Sequence, residues 1–375
     1  MHTDSNQEAF FELVRAGLWE KEARLSEFKN VDYAAILQMA EEQSVVGLVT
    51  AGLEHVNDVK VPQEELLQYI GSTLQIEQQN KDMNMFLAKL IEKLRKEDVY
   101  TILVKGQGIA QCYEKPLWRA SGDIDLLLSD WNYEKTKNVL LPLAVEVESE
   151  YKAFKHVGMT MQNGIVVELH GTMHSRLSQR VDKAIDEVQK DVFISGNVRS
   201  WANGNTQVFL PSADNDVIFV FTHILHHYFI DGIGLRQICD WCRLLWTYRE
   251  KLDLRVLETR IRKAGLMSEW RAFAALAVDW LGMSKEAMPL YNQNDEQNAK
   301  LKRKAEQIME LVLESGNFGH KQKRAHSEYY ILRKVFALWR KLKNLYRNFK
   351  VFPVDSMKFF CGFVMSGLDA ASRRE

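Results

Sequence analysis

The chain has 375 residues, with 49 Lys and Arg against 50 Asp and Glu, a formal net charge of -1, 46% hydrophobic and 10% aromatic residues. That apolar content excludes a disordered or fibrous chain and predicts one large or two to three ordinary domains. The charge balance argues against bulk electrostatic capture of nucleic acid and leaves only a local basic patch to consider. Four irregularly spaced cysteines (Cys112, Cys239, Cys242, Cys361) make no disulfide framework, so a reducing compartment and inert thiols are expected.

The amino-terminal run MHTDSNQEAFFELV lacks the basic region and apolar run of a secretory leader. Helical periodicity begins at once (Phe10, Leu13, Val14, Leu18; Ile36, Met39, Ala40) and is clearest over residues 76–94. There Ile76, Met83, Phe86, Leu87, Leu90, Ile91 and Leu94 recur at helical spacing. From Val99 the texture changes to strand-like runs, VYTILV, DIDLLL, HVGMTM and IVVELH, with a helix around Tyr133 to Leu141 and NTQVFLPS as the closing strand. Pro211 and Ser212 start a second helical region that continues to about Leu345. The expected plan is an amino-terminal helical region (1–97), a mixed α/β or α+β core (98–211) and a carboxyl-terminal helical domain (212–375). The apolar run VFPVDSMKFFCGFVMSGLDA is broken by Asp355 and Lys358 and is too short to span a bilayer. A cytoplasmic protein without stable membrane insertion is expected.

Within DIDLLL, Asp123 and Asp125 leave one face of a strand while Ile124 and Leu126 take the other. A bare D-x-D is commonly the solvent face of an edge strand. Three features strengthen a chemical reading. Glu168 and His170 share a face of IVVELH, so a third carboxylate can meet the pair across the sheet. The stretch Lys105-Gly106-Gln107-Gly108 follows a strand and precedes a short helix, where backbone amides and a helix amino terminus can approach phosphate. Arg119 supplies a second cation between that loop and the aspartates, and Gly122 permits close backbone approach before Asp123. Carboxylates of this kind hold Mg²⁺ through a few oxygens and leave positions for substrate phosphates; paired ions suit an in-line displacement at phosphorus.

The run KGQGIAQCYEKPLWRASGDIDLLLSD, followed about forty residues on by VVELHGTMH, resembles the uncharacterised nucleotidyltransferase family of the polymerase-beta-like superfamily. Its members show a strand ending in Leu-Lys-Gly, a short helix, a Tyr and Pro, an Arg, then Asp-x-Asp-Leu, and later an acidic residue before Leu-His. The likeness is close over residues 100–175 and looser through HILHHYF and GLRQICDWCRLL. It implies an α+β fold with a polymerase-beta-like nucleotidyltransferase core and a mixed sheet, flanked by amino-terminal and carboxyl-terminal helical regions. It implies Asp123 and Asp125 as paired metal ligands, Glu168 as the third acidic residue and Lys105 and Gly106 at the triphosphate. Gln107, Arg119 and Gly122 complete the expected nucleotide site, with Mg²⁺ or Mn²⁺ as cofactor and an NTP as donor. The superfamily's usual Gly-Ser pair is replaced here by Lys105-Gly106-Gln107, a loop without a hydroxyl.

Other constellations have plainer readings. Cys239-x-x-Cys242 lacks a second pair for zinc and reads as helix core. His223, His226 and His227 stand at helical spacing, either in the cleft or packed against it. His170 and His174 have the same two readings, His170 as a residue that orients a carboxylate or substrate. Residues 321–350 hold ten Lys or Arg against Glu328, interleaved with aromatics, so they read either as a solvated amphipathic helix or as a face for RNA, anionic membrane or polyphosphate. The expected activity is transfer of an NMP from an NTP to an acceptor, small molecule or protein, with release of pyrophosphate. The alternatives are a phosphate-ester hydrolase or kinase, and a degenerate, antitoxin-like module that binds a nucleotide or protein partner. The Arg and His spacing of a helical toxin half is absent, so the chain is not read as a fusion of both halves.

Overall fold

The computed structural model describes residues 5–150, 155–230, 232–316 and 343–360. Apolar residues recurring every three to four positions make helices of the amino-terminal flank: α1 (Ser5–Trp19), α2 (Tyr33–Glu42), α3 (Val46–Leu53) and α4 (Gln63–Lys96). Asp32 caps α2 by accepting the Ala35 amide at 3.0 Å. The long α4 carries Glu64 and Glu65 in its first turn and Lys93, Arg95 and Lys96 in its last, charges that complement the helix dipole.

The central region then runs β1 (Ile102–Val104), α5 (Gly106–Ala110), β2 (Asp123–Leu127), α6 (Asp130–Leu140), β3 (Ala144–Val147), β4 (His156–Met161), β5 (Val166–His170), α7 (Gln179–Phe193), β6 (Val198–Asn203) and β7 (Thr206–Pro211). After it come α8 (Ala213–Ile230), α9 (Leu235–Tyr248), α10 (Leu254–Ala264), α11 (Met267–Asp279), α12 (Gln293–Glu296) and α13 (Ala299–Ser315). Residues 343–351 and 353–360 are also helical.

All seven strands form one mixed sheet in the order β3-β4-β5-β2-β1-β7-β6. β1 runs antiparallel to β2 and parallel to β7, and β2 runs parallel to β5. The outer pairs β3/β4, β4/β5 and β6/β7 are antiparallel. The α+β architecture with flanking helices is therefore the one expected from the sequence. β3 and β6 were not anticipated, and each lies at an edge of the sheet. β3 exposes most of its residues and β6 buries none fully, so neither shows the alternation that reveals a half-buried strand.

One face of the sheet packs Ile124, Leu126, Val167 and Leu169 against Leu87, Ile91 and Leu94 of α4 and Tyr133 and Leu140 of α6. On the other face Leu127 joins a larger core built from helices of both flanks. Phe11 and Trp280 meet edge to face at 5.3 Å. The buried Gln43 accepts the Leu235 amide at 2.8 Å and donates to the Val312 carbonyl at 3.2 Å. Arg243 of α9 donates to the carbonyls of Leu18 (2.6 Å) and Cys112 (2.7 Å). Helices distant in sequence are thus tied together by buried hydrogen bonds as well as apolar contact.

The crossing of α1 over α3 needs glycine. A Cβ at Gly17 would stand 2.0 Å from the Leu48 carbonyl oxygen, and one at Gly52 would stand 2.1 Å from that of Leu13. Gly52→Ala should therefore cost about 1–3 kcal/mol or more in urea unfolding, because the two backbones must separate. Gly71→Ala in α4, where a Cβ meets nothing within 4 Å, should instead gain about 0.5–1 kcal/mol from helix propensity.

Candidate active site

Strand register assembles the site. Across the parallel pair β2/β5, Asp125 faces Glu168 and Leu127 faces His170. Across the antiparallel pair β4/β5, His156 faces His170 and Gly158 faces Glu168. Because side chains alternate along a strand and paired residues share a face, Asp123, Asp125, Glu168, His170 and His156 all emerge on the side opposite Ile124 and Leu126. Ligand oxygens of Asp123, Asp125 and Glu168 lie within 4.8 Å of one another, and so do ligand atoms of His156, Glu168 and His170.

Lys105 enters the same place from β1. Its backbone sits at φ 58 and ψ -148, and Gly106 follows at φ 40, so the chain turns sharply from strand into α5. That conformation is open to glycine but costs a lysine about 1–3 kcal/mol. The turn delivers Lys105 Nζ to 2.7 Å from Asp125 Oδ1. Burial opposes the charge on Lys105, yet Asp125, Glu168 and Asp123 hold its pKa above the ordinary lysine value, so it stays an ammonium.

The three acids are held unequally. The charge of Asp125, with burial added, raises the Asp123 carboxyl to about 6. Burial works against ionising Glu168, but hydrogen bonds from His156 and His170 and the charge of Lys105 keep its pKa well below the carboxylate range. His170 is raised: burial disfavours its charge, and its contacts with Asp125 (2.8 Å) and Glu168 (3.3 Å) outweigh burial. His223 is pushed well down by burial and by the charge of Lys105, so it is a neutral imidazole.

A cavity of about 390 Å³ opens over this cluster, walled by Lys105, Asp123, His156, Glu168 and His170 on the sheet side. Residues 172–176 form its rim, and Phe219, Thr222, His223, His226 and His227 of α8 face it from the other side. The three α8 histidines thus belong to the cleft. His226 Nδ1 donates to the Ser175 carbonyl at 2.5 Å, which ties α8 to the rim, and His174 pairs with Asp186 at 2.6 Å.

Two expected nucleotide-site side chains, those of Gln107 and Arg119, are committed elsewhere. The buried Gln107 donates to the Asp123 carbonyl at 3.3 Å, bracing the strand from behind. Gly122 has open space where a Cβ would stand. Arg119 is committed to Asp240 of α9 through two hydrogen bonds, at 3.0 and 2.5 Å, and to Ser121 Oγ at 3.1 Å. Tyr113 also donates to Asp240, at 2.9 Å, and Arg119 lines a separate small cleft with Trp118 and Arg236. His156 and Asp240 were missed in the sequence reading.

Cys239 and Cys242 are free, fully buried thiols on α9, with pKa values raised by burial. Of the basic segment 321–350, residues 321–342 lie outside the described residues; Arg347 pairs with Glu314. Among the described residues no helix is long and apolar enough to cross a membrane.

Breaking the Arg119–Asp240 pair from one side leaves a buried charge unpaired. Asp240→Ala should therefore cost about 3–5 kcal/mol. The double variant Arg119→Met/Asp240→Leu should recover part of that loss, as read in a urea double-mutant cycle.

Residues 29–282 match the family described as Uncharacterised nucleotidyltransferase. Among solved structures, the antigenic nucleotidyltransferase-like protein from Paracoccidioides brasiliensis is similar at 16% identity and a TM-score of 0.30, over 50% of this chain and 90% of that one. No curated protein matches. The family match spans more than half of the chain and takes in β1 to β7 together with α8 and α9, so the chain belongs to the Uncharacterised nucleotidyltransferase family.

Proposed function

We propose that the chain transfers an NMP from an NTP to an acceptor and releases pyrophosphate, with Mg²⁺ or Mn²⁺ at Asp123, Asp125 and Glu168. The observation that carries this reading is the convergence of three carboxylates within 4.8 Å of one another, two of which, Asp123 and Glu168, line a cavity. The donor set fits a hard divalent cation, being all oxygen, on one face and short of positive charge. The raised Asp123 carboxyl is a sign of that shortage. Bound ions would polarise the phosphorus centre and acidify the attacking hydroxyl.

The remaining work falls to the chain's own residues. Lys105, 2.7 Å from Asp125, would pair with the β- and γ-phosphates. There it would stabilise charge on the pyrophosphate leaving group. Gly106 keeps the loop low enough for phosphate to approach. Glu168, contacted by the imidazoles of His156 and His170, is read as the third ligand and as a candidate base for the acceptor proton. Arg119 acts indirectly, by fixing the segment before β2 to α9. The α8 histidines offer a polar wall for the acceptor.

A binding-only reading has one observation in its favour: Lys105 already neutralises Asp125, beside a loop without a hydroxyl. Thermal unfolding tests the nucleotide site, and NMP transfer separates the two readings. With each NTP and Mg²⁺ or Mn²⁺ at about a hundredfold over Kd, the wild type should gain about 2.7 kcal/mol, and Asp123→Ala or Asp125→Ala should gain none. Both variants should also lose NMP transfer; transfer retained in either would overturn the assignment. Because Asp123 must be ionised to ligate and its carboxyl lies at about 6, apparent metal–nucleotide affinity should be level above that pH. Below it the affinity should fall roughly tenfold per unit, measured by titration calorimetry at stepped pH.

A further inference from the structure

The acids account for only part of the cluster. His156 Nε2 and His170 Nε2 both lie 3.3 Å from the same oxygen, Glu168 Oε2. A charge-assisted hydrogen bond is typically about 2.7–2.9 Å long, so 3.3 Å is long for one. The two distances match two edges of a tetrahedron around an ion with bonds of about 2.0–2.1 Å, where neighbouring ligands stand about 3.3–3.4 Å apart, and the third pair, His156 and His170, lies within 4.8 Å. The three residues are also held stiffly: Glu168 and His170 are two apart on β5, and His156 is the cross-strand partner of His170 on β4.

We propose that His156, Glu168 and His170 form a second cation site, distinct in ligand chemistry from the aspartate pair and suited to a Zn²⁺-class ion. Imidazole nitrogens favour Zn²⁺ and its neighbours, whereas Mg²⁺ favours an all-oxygen shell. Three protein ligands leave a fourth position, the pattern of sites that keep a place for water or a substrate oxygen. All three residues line the 390 Å³ cavity, so that position faces the space an acceptor would fill. His170 Nε2 also lies 2.8 Å from Asp125 Oδ1, and an ion entering here exchanges that hydrogen bond for a ligand bond. Glu168 is common to both sets and would bridge them. The proposal goes beyond nucleotidyl transfer and does not depend on it.

Co²⁺ serves as the probe, because its visible bands report nitrogen ligation at low coordination number. The full chain, stripped with chelator, is titrated with Co²⁺ in the absence of nucleotide. The expected result is intense bands that saturate near one equivalent, vanish on adding Zn²⁺ and survive excess Mg²⁺. His156→Ala should lose them and Asp123→Asn should keep them. His156→Cys, which supplies a different ligand at the same point, should add a near-ultraviolet sulfur-to-cobalt absorption absent from the wild type and so control for misfolding. Absent bands in the wild type, bands retained in His156→Ala, or bands lost in Asp123→Asn would each overturn the site. Since no nucleotide is present, failure here is separable from failure of the NTP-dependent stabilisation.

Discussion

Three carboxylates that repel one another are held together beside a cavity that Asp123 and Glu168 line, and much of the surrounding structure answers that fact. With all three within 4.8 Å of one another, each like pair repels by at least about 3.5 kcal/mol at an effective dielectric of 20, before the neighbouring positive charges are counted. The sheet can impose this because its opposite face is locked: Ile124, Leu126, Val167 and Leu169 are fully buried against α4 and α6. A register slip that separated the acids would expose those four residues to water. Apolar packing on one face thus holds electrostatic strain on the other.

Relief comes from polar partners delivered by three different elements. Lys105 arrives through a backbone turn that is itself strained, His170 from the strand that carries Glu168, and His156 from the next strand over. None of them quenches Asp123, whose proton remains loosely placed near neutrality. Farther out, the Arg119–Asp240 pair fastens the segment before β2 to α9, so a helix from the carboxyl-terminal flank helps fix where the acidic strand begins.

Much of the centre was legible in the sequence because its signals are local. The i, i+2 spacing of Asp123 and Asp125, and of Glu168 and His170, puts each pair on one face of a strand without any knowledge of the fold. That β2 and β5 lie side by side is a fact of topology, which the shared face of Glu168 and His170 allowed and the family resemblance implied. His156 could have been found only with the loop length known: the Asn163-Gly164 dipeptide marks a hairpin between HVGMTM and IVVELH. A two-residue loop there would set His156 opposite Gly171, whereas the three-residue loop 162–164 that the structure adopts sets it opposite His170. Asp240 could not, since it meets Arg119 across 121 residues and nothing nearby marks either as the other's partner. The histidines of α8 were legible as a helical row, but which way the row faces depends on how α8 packs.

The most direct test of nucleotidyl transfer follows the label. The full chain with Mg²⁺ and a small-molecule and protein extract is given NTP labelled at either the α- or the γ-phosphate. The account predicts that α-label passes to an acceptor, with pyrophosphate released in equal amount and no transfer in Asp123→Ala. Transfer of γ-label, or release of inorganic phosphate with the α-label left in a nucleoside diphosphate, would show a kinase or hydrolase and contradict it.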